Sequence, residues 1–413
     1  MSAASDPIQA PAGTPARFER SFTQQEPIAE DAIAAAVAVL RSGRLHRYNT
    51  VGDELSPAAE LERNFAAYQG ARYCLACASG GYALQIALRA AGLKAGEPVL
   101  TNAFTLAPVP GAIAAAGGRP VLIEITEDLV IDIDDLEAKA RASGARFLML
   151  SHMRGHLADM ERLMALADRL GLIVIEDCAH TMGAAWNGVK SGRFGRAACF
   201  STQTYKHINS GEGGLLTSDD PELMARATIL SGSYMLYRCH GAGPADAEFE
   251  ELRLDTPNQS GRMDNLRAAI LLPQLARLDE NVERWNERYR VIEARLREVS
   301  SLHLPVRPAP EHYVGSSIQF LAPGIDEARA EAFLEATRKL GVDLKWFGAA
   351  APVAFTSSHK SWRYVDPQLL PRTDAVLAGL FDMRIPLTFS LDDYRHVAEI
   401  IAVSAQMLAS EVP

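Results

Sequence analysis

Residues 197 to 216, AACFSTQTYKHINSGEGGLL, set one lysine between a short apolar run and a cluster of glycines. Lys206 is one of seven lysines (94, 139, 190, 206, 339, 345 and 360) in a chain that takes most of its positive charge from arginine. Ala197 to Phe200 have the unbroken apolar character of a buried strand. Ser201 to Tyr205 supply hydroxyl and amide groups, and Gly211, Gly213 and Gly214 allow a tight turn before Leu215 and Leu216 return to the core. An amine held at a strand end and partly removed from water can lose its proton and act as a nucleophile or condense with a carbonyl. A solvated lysine in a polar loop has the same local sequence, so its neighbours decide between the two.

Two further stretches carry suitable chemistry. Leu172 to Ile175 read as a buried strand that delivers Glu176, Asp177 and, three residues on, His180 to its end. A carboxylate there needs a cationic or hydrogen-bonding partner, unless it only caps the turn that follows. Earlier, the strand-like Arg72 to Ala78 runs into Ser79, Gly80 and Gly81 and then a helix with Leu84, Ala87, Leu88 and Ala91 on one face. Such a helix start leaves N–H groups pointing outward and can hold an anion; the alternative is a glycine turn that serves close packing alone.

The elements that must position these groups alternate. Strand-like EPVLTNAF, RPVLIEI, ARFLMLSH, GLIVIEDCAH and AACFST are separated by helical segments, including Ile133 to Ala142 and Met160 to Leu170. Strands apolar throughout, alternating with helices, predict an α/β fold with a mostly parallel sheet covered on both faces. Ligands of such sheets bind beyond the carboxyl ends of the strands, where Gly81, Asp177 and Ser201 fall. Upstream, 30–41 and 57–68 read as amphipathic helices. Downstream, a helical region is predicted from Arg262 to about Val299, kinked at Pro273. The Pro-rich HLPVRPAP then leads to a smaller α+β unit, with SSIQFLAPG a strand, DEARAEAFLEATRKLG a helix, and RIPLTFS a strand before a closing helix.

Composition narrows the function. The 413 residues are 48% hydrophobic and 22% charged, enough for a large core and two domains. A net charge of −10 and the absence of a basic stripe argue against a nucleic-acid partner. No apolar run approaches the roughly 20 residues of a membrane helix, and the Ala- and Pro-rich N-terminus lacks a signal-peptide core, so a cytoplasmic protein is expected. The five cysteines (74, 77, 178, 199 and 239) read as reduced, and the Cys74–Cys77 pair lacks the further ligands of a zinc site, so no metal is expected.

Lysine, strand-end carboxylate, phosphate-sized glycine turn and strand-end serine are together the parts of a pyridoxal phosphate site. ASGGYALQIAL, TNAFTLAP, HMRGHLADM, VIEDCAHTMGA, RFGRAACFSTQTYKHINSGEGG and GRMDNLRAAILLPQL, in this order, resemble the DegT/DnrJ/EryC1/StrS aminotransferases over nearly the whole chain. The resemblance implies a fold-type I pyridoxal phosphate enzyme. Its large cofactor domain would span 26–282 and its smaller C-terminal α+β domain 283–413, after a loose tail over 1–25. It further implies a homodimer with sites at the interface, and transfer of an amine from an amino acid donor to a keto acceptor, in most of the family a keto-sugar. A cyclitol, a simple amine or an amino acid is the alternative substrate, and a non-catalytic regulator of the same fold the alternative role.

By that resemblance Lys206 forms the Schiff base and moves the proton, and Asp177 pairs with the pyridine nitrogen. His180 approaches the ring, and Ser201 joins the backbone of Gly80 and Gly81 around the phosphate. Lysine at 206, where related dehydratases carry histidine, favours transamination. Three positions depart from the pattern: Gly81 replaces a threonine, Leu106 replaces an aromatic ring and leaves Phe104 as the candidate for stacking, and Ser260 replaces an asparagine that reaches the partner's phosphate, with Asn258 as its substitute.

Overall fold

A computed structural model describes residues 15–354 and 358–409. In chain order the strands are β1 (Tyr73–Cys77), β2 (Pro98–Asn102), β3 (Arg119–Ile123), β4 (Phe147–Ser151) and β5 (Ile173–Asp177), then a short hairpin β6 (Ala185–Trp186) and β7 (Val189–Lys190), then β8 (Ala197–Ser201) and β9 (Gly214–Ser218). Seven of them form one sheet in the order β1-β9-β8-β5-β4-β2-β3. Only β9 runs against its neighbours, pairing antiparallel with both β1 and β8. The expected mostly parallel sheet is therefore present.

Both faces of this sheet are buried. Leu84, Ile86, Ala87 and Leu88 of the helix Gly80–Ala90 cover one face, against Leu75, Val99, Ile175 and Cys199. Leu136 of the helix Ile133–Ser143, with Leu163 and Leu166 of the helix Met160–Leu170, covers the other, against Leu100, Leu148, Val174 and Phe200. Strand residues alternate between these two layers, so residues two apart share a face. Ile175 and Asp177 consequently look one way, and Val174 and Glu176 the other. Side chains close the helix starts: Ser79, Asp132 and Asp159 each accept a hydrogen bond from an N–H of the first turn.

The C-terminal part contains β10 (Glu311–His312), which extends the hairpin β6–β7, and a second sheet. That sheet is built from β11 (Ser317–Leu321), β12 (Lys345–Trp346) and β13 (Leu380–Arg384), with β13 in the middle. The helices Glu327–Lys339 and Leu391–Ala409 pack on its apolar face. The strand expected at RIPLTFS thus lies earlier and ends at Arg384. Pro386, which has no N–H to donate, stands just beyond it.

Other boundaries also differ. The predicted long helix is two helices, Asn265–Ala276 and Leu278–Leu296, broken at Arg277 a turn after Pro273. Proline removes one helical hydrogen bond and crowds the preceding turn, and here the helix ends soon after. Position 282, taken as a domain limit, lies inside the continuous helix Leu278–Leu296. Of the expected loose tail, residues 1–14 lie outside the described residues. Residues 15–25 pack instead: Phe18 and Phe22 bury their rings edge-on to Phe389, with centroids 4.9 and 5.0 Å away. The Phe18 N–H also donates to the Leu340 carbonyl at 2.8 Å. Two aromatic side chains four residues apart supply the apolar anchor that the Ala- and Pro-rich sequence conceals.

Candidate active site

The loop after β8 holds Lys206 by folding back on itself. Thr202 N–H donates to the Gly213 carbonyl at 2.9 Å, Ser210 N–H to Thr202 at 3.0 Å, and Lys206 N–H to Gln203 at 2.8 Å. Gln274, one residue after the helix-breaking proline, clamps the loop from outside: its amide oxygen accepts from Asn209 N–H at 2.9 Å and its Nε2 donates to the Asn209 carbonyl at 2.8 Å. His207 wedges between Ser316, 3.1 Å away, and the edge of Trp285. With its neighbours fixed, Lys206 projects its Nζ to within 2.8 Å of His180 Nε2. Burial lowers the proton affinity of this amine, and although Asp177 opposes the effect, Arg154 and Arg384 add to it, bringing the pKa down to about 7. Burial likewise pushes His180 well below the ordinary imidazole value, assisted by the charges of Lys206 and Arg154. At neutral pH an uncharged imidazole thus faces an amine near its midpoint.

Asp177 ends β5 on the face it shares with the glycine-turn helix. Its Oδ2 accepts from Ser151 Oγ at 2.9 Å, Ser151 Oγ accepts from Thr105 Oγ1 at 2.8 Å, and Asp177 Oδ1 accepts from Ala179 N–H at 3.1 Å. Asn102 fixes Ser151 in turn by accepting from its N–H at 3.0 Å and donating to its carbonyl at 3.0 Å. The carboxylate is therefore oriented through three strand ends. Glu176, expected beside it, points through the sheet to the other side. There it accepts from the N–H groups of Gly192, Phe194 and Gly195 at 2.9, 2.8 and 2.7 Å and lies 3.0 Å from His152 Nε2. Burial disfavours its charge, but His152 and these amides outweigh burial and hold its pKa below the usual range. Its task is to hold the 192–195 loop.

Ser201 and the glycine turn meet as predicted. A Cβ on Gly80 would lie 2.9 Å from Ser201 Cβ, and one on Gly214 would lie 2.4 Å from the Ser79 carbonyl carbon, so both positions exclude a side chain. Ser79 takes the Tyr82 N–H on its hydroxyl at 3.1 Å, which leaves the amides of Gly80 and Gly81 without a partner inside the helix. Around Gly81 there is room: the nearest heavy atom to a Cβ there would be Pro108 Cβ, at 3.8 Å.

Phe104 and Leu106 are not brought into this group. The Phe104 ring is 1% exposed and packs edge-on to Phe347 among Ile125, Leu129 and Met153, with Leu106 against the same cluster. Stacking by Phe104 is thereby corrected: an apolar core satisfies the ring. Asn258 and Ser260 are exposed, on a strap beside β1, where Ser260 Oγ accepts from Arg262 Nη2 at 3.0 Å and the Gly261 carbonyl accepts from Ala78 N–H at 2.8 Å. The cysteines of the Cys74–Cys77 pair lie on opposite faces of the sheet and cannot share a ligand.

Other groups at this end were not foreseen. Arg154, buried in the turn after β4, and Arg384, at the end of β13, both lower the charge of Lys206. A cleft of about 390 Å³ beside the lysine is lined by Tyr205, Arg384, Trp285 and the N-terminal stretch Gln24 to Ala29. With its amide turned to satisfy both ends, Gln25 accepts from Arg384 Nη2 at 3.0 Å and donates to the Thr204 carbonyl at 3.3 Å. Only the strand-end position of Ser151 was visible in the sequence; isolated arginines in a chain rich in arginine carry no local signal.

These residues fit pyridoxal phosphate: a partly buried amine that readily loses its proton, an oriented strand-end carboxylate, and a helix start stripped of side chains beside a serine. The profile of the DegT/DnrJ/EryC1/StrS aminotransferase family matches residues 26–402. A "Pleiotropic regulatory protein" of Geobacillus stearothermophilus is 32% identical over 315 residues, 74% of this chain and 78% of that one. An L-glutamine:2-deoxy-scyllo-inosose aminotransferase of Streptomyces kanamyceticus is 32% identical over 269 residues, 65% of this chain and 62% of its own length. The crystal structure of S. venezuelae DesV superposes with a TM-score of 0.75 at 27% identity, covering 92% of this chain and 95% of that one. The chain belongs to the DegT/DnrJ/EryC1/StrS aminotransferase family and is a pyridoxal phosphate-dependent aminotransferase.

Proposed function

We propose that this enzyme moves an amino group from an amino acid to the keto group of a sugar or of a nucleotide-linked sugar, with Lys206 and Asp177 as its catalytic residues. The observation that carries the assignment of roles is the Lys206 amine, 2.8 Å from an uncharged His180 and brought to a pKa of about 7. Bound pyridoxal phosphate supplies an electron sink next to the carbon that gains or loses a proton. Lys206 Nζ would hold the cofactor between turnovers and move the proton at that substrate carbon. Asp177, oriented by Ser151 and Ala179, would keep the ring nitrogen protonated. Ser201 and the amides of Gly80 and Gly81 would bind the phosphate, and His180 would lie against the ring.

The relative from Streptomyces kanamyceticus acts, by its name, on a ketone of an inositol, with L-glutamine as donor. That supports a polyhydroxylated cyclic ketone as acceptor here, and makes a cyclitol the second candidate. The regulatory relative raises a role without catalysis, against which the intact lysine and carboxylate weigh. Asn258 and Ser260 lie exposed beside the glycine turn, which supports a homodimer whose partner strap reaches the phosphate. All five cysteines are unpaired, in keeping with a reducing cytoplasm, and among the described residues no helix is long and apolar enough to cross a membrane.

The test is the visible spectrum of the purified protein before and after borohydride, beside Lys206→Ala. L-glutamate, L-glutamine, L-alanine and a diamine are then added separately. The expected result is an absorption band that the variant lacks and that one amino acid bleaches. A band that survives in Lys206→Ala, or that no donor bleaches, overturns the assignment.

A further inference from the structure

The small C-terminal sheet has two faces of opposite character. Along β11 and β13, Ile318, Phe320, Phe381 and Met383 turn into the apolar core, and Ser317, Gln319, Asp382 and Arg384 turn the other way. A polar face ordinarily meets water. Here Gln319 is 1% and Asp382 0% exposed, because the face is covered by the loops that carry the active-site groups.

Charge on this covered face is unbalanced. Asp382 Oδ2 lies 2.9 Å from Arg154 Nη2 and 3.6 Å from Lys345 Nζ, and Asp382 Oδ1 accepts from Gln319 Nε2 at 2.8 Å. Arg384 stands on the same face, with its guanidinium 3.5 Å from the centre of the Tyr205 ring, beside Lys206. Asp382 is thus shared by Arg154 and Lys345, and Arg384 stands two residues along the same face of the strand. Arg154 is only 8% exposed, its Nε has no hydrogen-bond partner, and its backbone is left-handed (φ 56°), a conformation that side-chain-bearing residues rarely adopt. A buried guanidinium with an unpartnered nitrogen calls for an anion. The field of these cations reaches the reacting amine, since Arg154 and Arg384 both act on Lys206 and Lys345 acts on His180.

We propose that Arg154, with Arg384 and Lys345, forms the subsite that binds the carboxylate of the amino acid donor. This presupposes the donor half-reaction proposed above. A donor carboxylate is attached to the same carbon as the amine, so a cation that reads it must stand beside the lysine, as Arg384 does in the cleft it lines with Lys206. A phosphate on an acceptor ring is several bonds from its reacting carbon and would be read further out.

The experiment is calorimetric titration of the holoenzyme with glutaramate, which keeps the glutamine skeleton and carboxylate but has no amine to react. Butanamide, without the carboxylate, and inorganic pyrophosphate are the controls. Wild-type protein is expected to bind glutaramate at least 10-fold more tightly than either control. Arg154→Gln should lose most of this preference, and so should Arg384→Gln, which leaves the buried Arg154–Asp382 pair in place and guards against misfolding. In single-turnover bleaching by L-glutamine, both variants should need at least 10-fold more donor for half-saturation. Unchanged glutaramate binding in a folded variant, or tighter binding of pyrophosphate than of glutaramate, overturns the carboxylate subsite. Failure of every donor to bleach the wild-type band would instead overturn the catalytic assignment.

Discussion

At the residue scale, the lysine is tuned more by desolvation than by any single partner. Its pKa near 7 means that the amine is mostly charged at pH 6 and mostly free at pH 8. Capture of pyridoxal phosphate by the apoenzyme should therefore accelerate roughly 10-fold across that interval, since only the free amine attacks an aldehyde. Stopped-flow absorbance at fixed cofactor concentration measures this, and a flat profile would count against a depressed pKa. Asp177→Asn should still retain cofactor, because Ser201 and the helix start are untouched, yet lose about two to four orders of magnitude in turnover. Full turnover in that variant would remove Asp177 from the mechanism. The sequence singled out Lys206, Asp177, His180 and Ser201 as candidates because each follows an apolar run whose end is legible. It misled at Phe104, whose ring packs in an apolar cluster, and it was silent on Arg154, whose buried partner Asp382 lies more than 200 positions away.

At the scale of elements, two neighbouring glycines should respond in opposite ways. A methyl at Gly80 would meet Ser201 Cβ at 2.9 Å and push the helix start off β8, so Gly80→Ala is expected to weaken cofactor binding 10-fold or more. Gly81→Thr has room and adds a hydroxyl at the phosphate turn, so the cofactor dissociation constant should fall several-fold. Equilibrium dialysis of both variants checks the pair. On the opposite face of β5, Glu176→Gln leaves His152 and three loop amides with a poorer acceptor, at a cost of about 3 kcal/mol in urea unfolding at pH 7. The sign follows from its lowered pKa: the unfolded carboxyl, near 4.5, binds protons more readily, so the contribution is complete above that value and fades as the pH falls below it. The deficit of the variant relative to wild type should accordingly shrink at pH 4. The alternation of β and α segments was readable throughout the large sheet because its strands are apolar on both faces. What escaped were the direction of Glu176, which depends on strand parity, and the last strand, where the polar residues of LFDMR mask a strand whose polar side is buried.

At the scale of the whole molecule, the proposed dimer can be tested at one exposed patch. Tyr234 and Met235 are 59% and 68% exposed, and both hold left-handed backbone conformations (φ 52° and 64°). Arg262 places its guanidinium 5.1 Å from the Tyr234 ring and donates to Ser260, so this apolar tip is tied to the strap that carries Asn258 and Ser260. If that strap completes the neighbour's phosphate site, the lysine and the strap of one site belong to different subunits. Lys206→Ala and the double variant Asn258→Ala/Ser260→Ala should then each be poorly active alone and complement each other when mixed and allowed to exchange subunits. In half of the resulting dimers one site would have an intact lysine and an intact strap, so activity should recover to roughly a quarter of wild type. Light scattering of the same samples must report a dimer. If the strap served its own subunit instead, each chain would carry one of the two defects within its own site, and mixing would restore nothing.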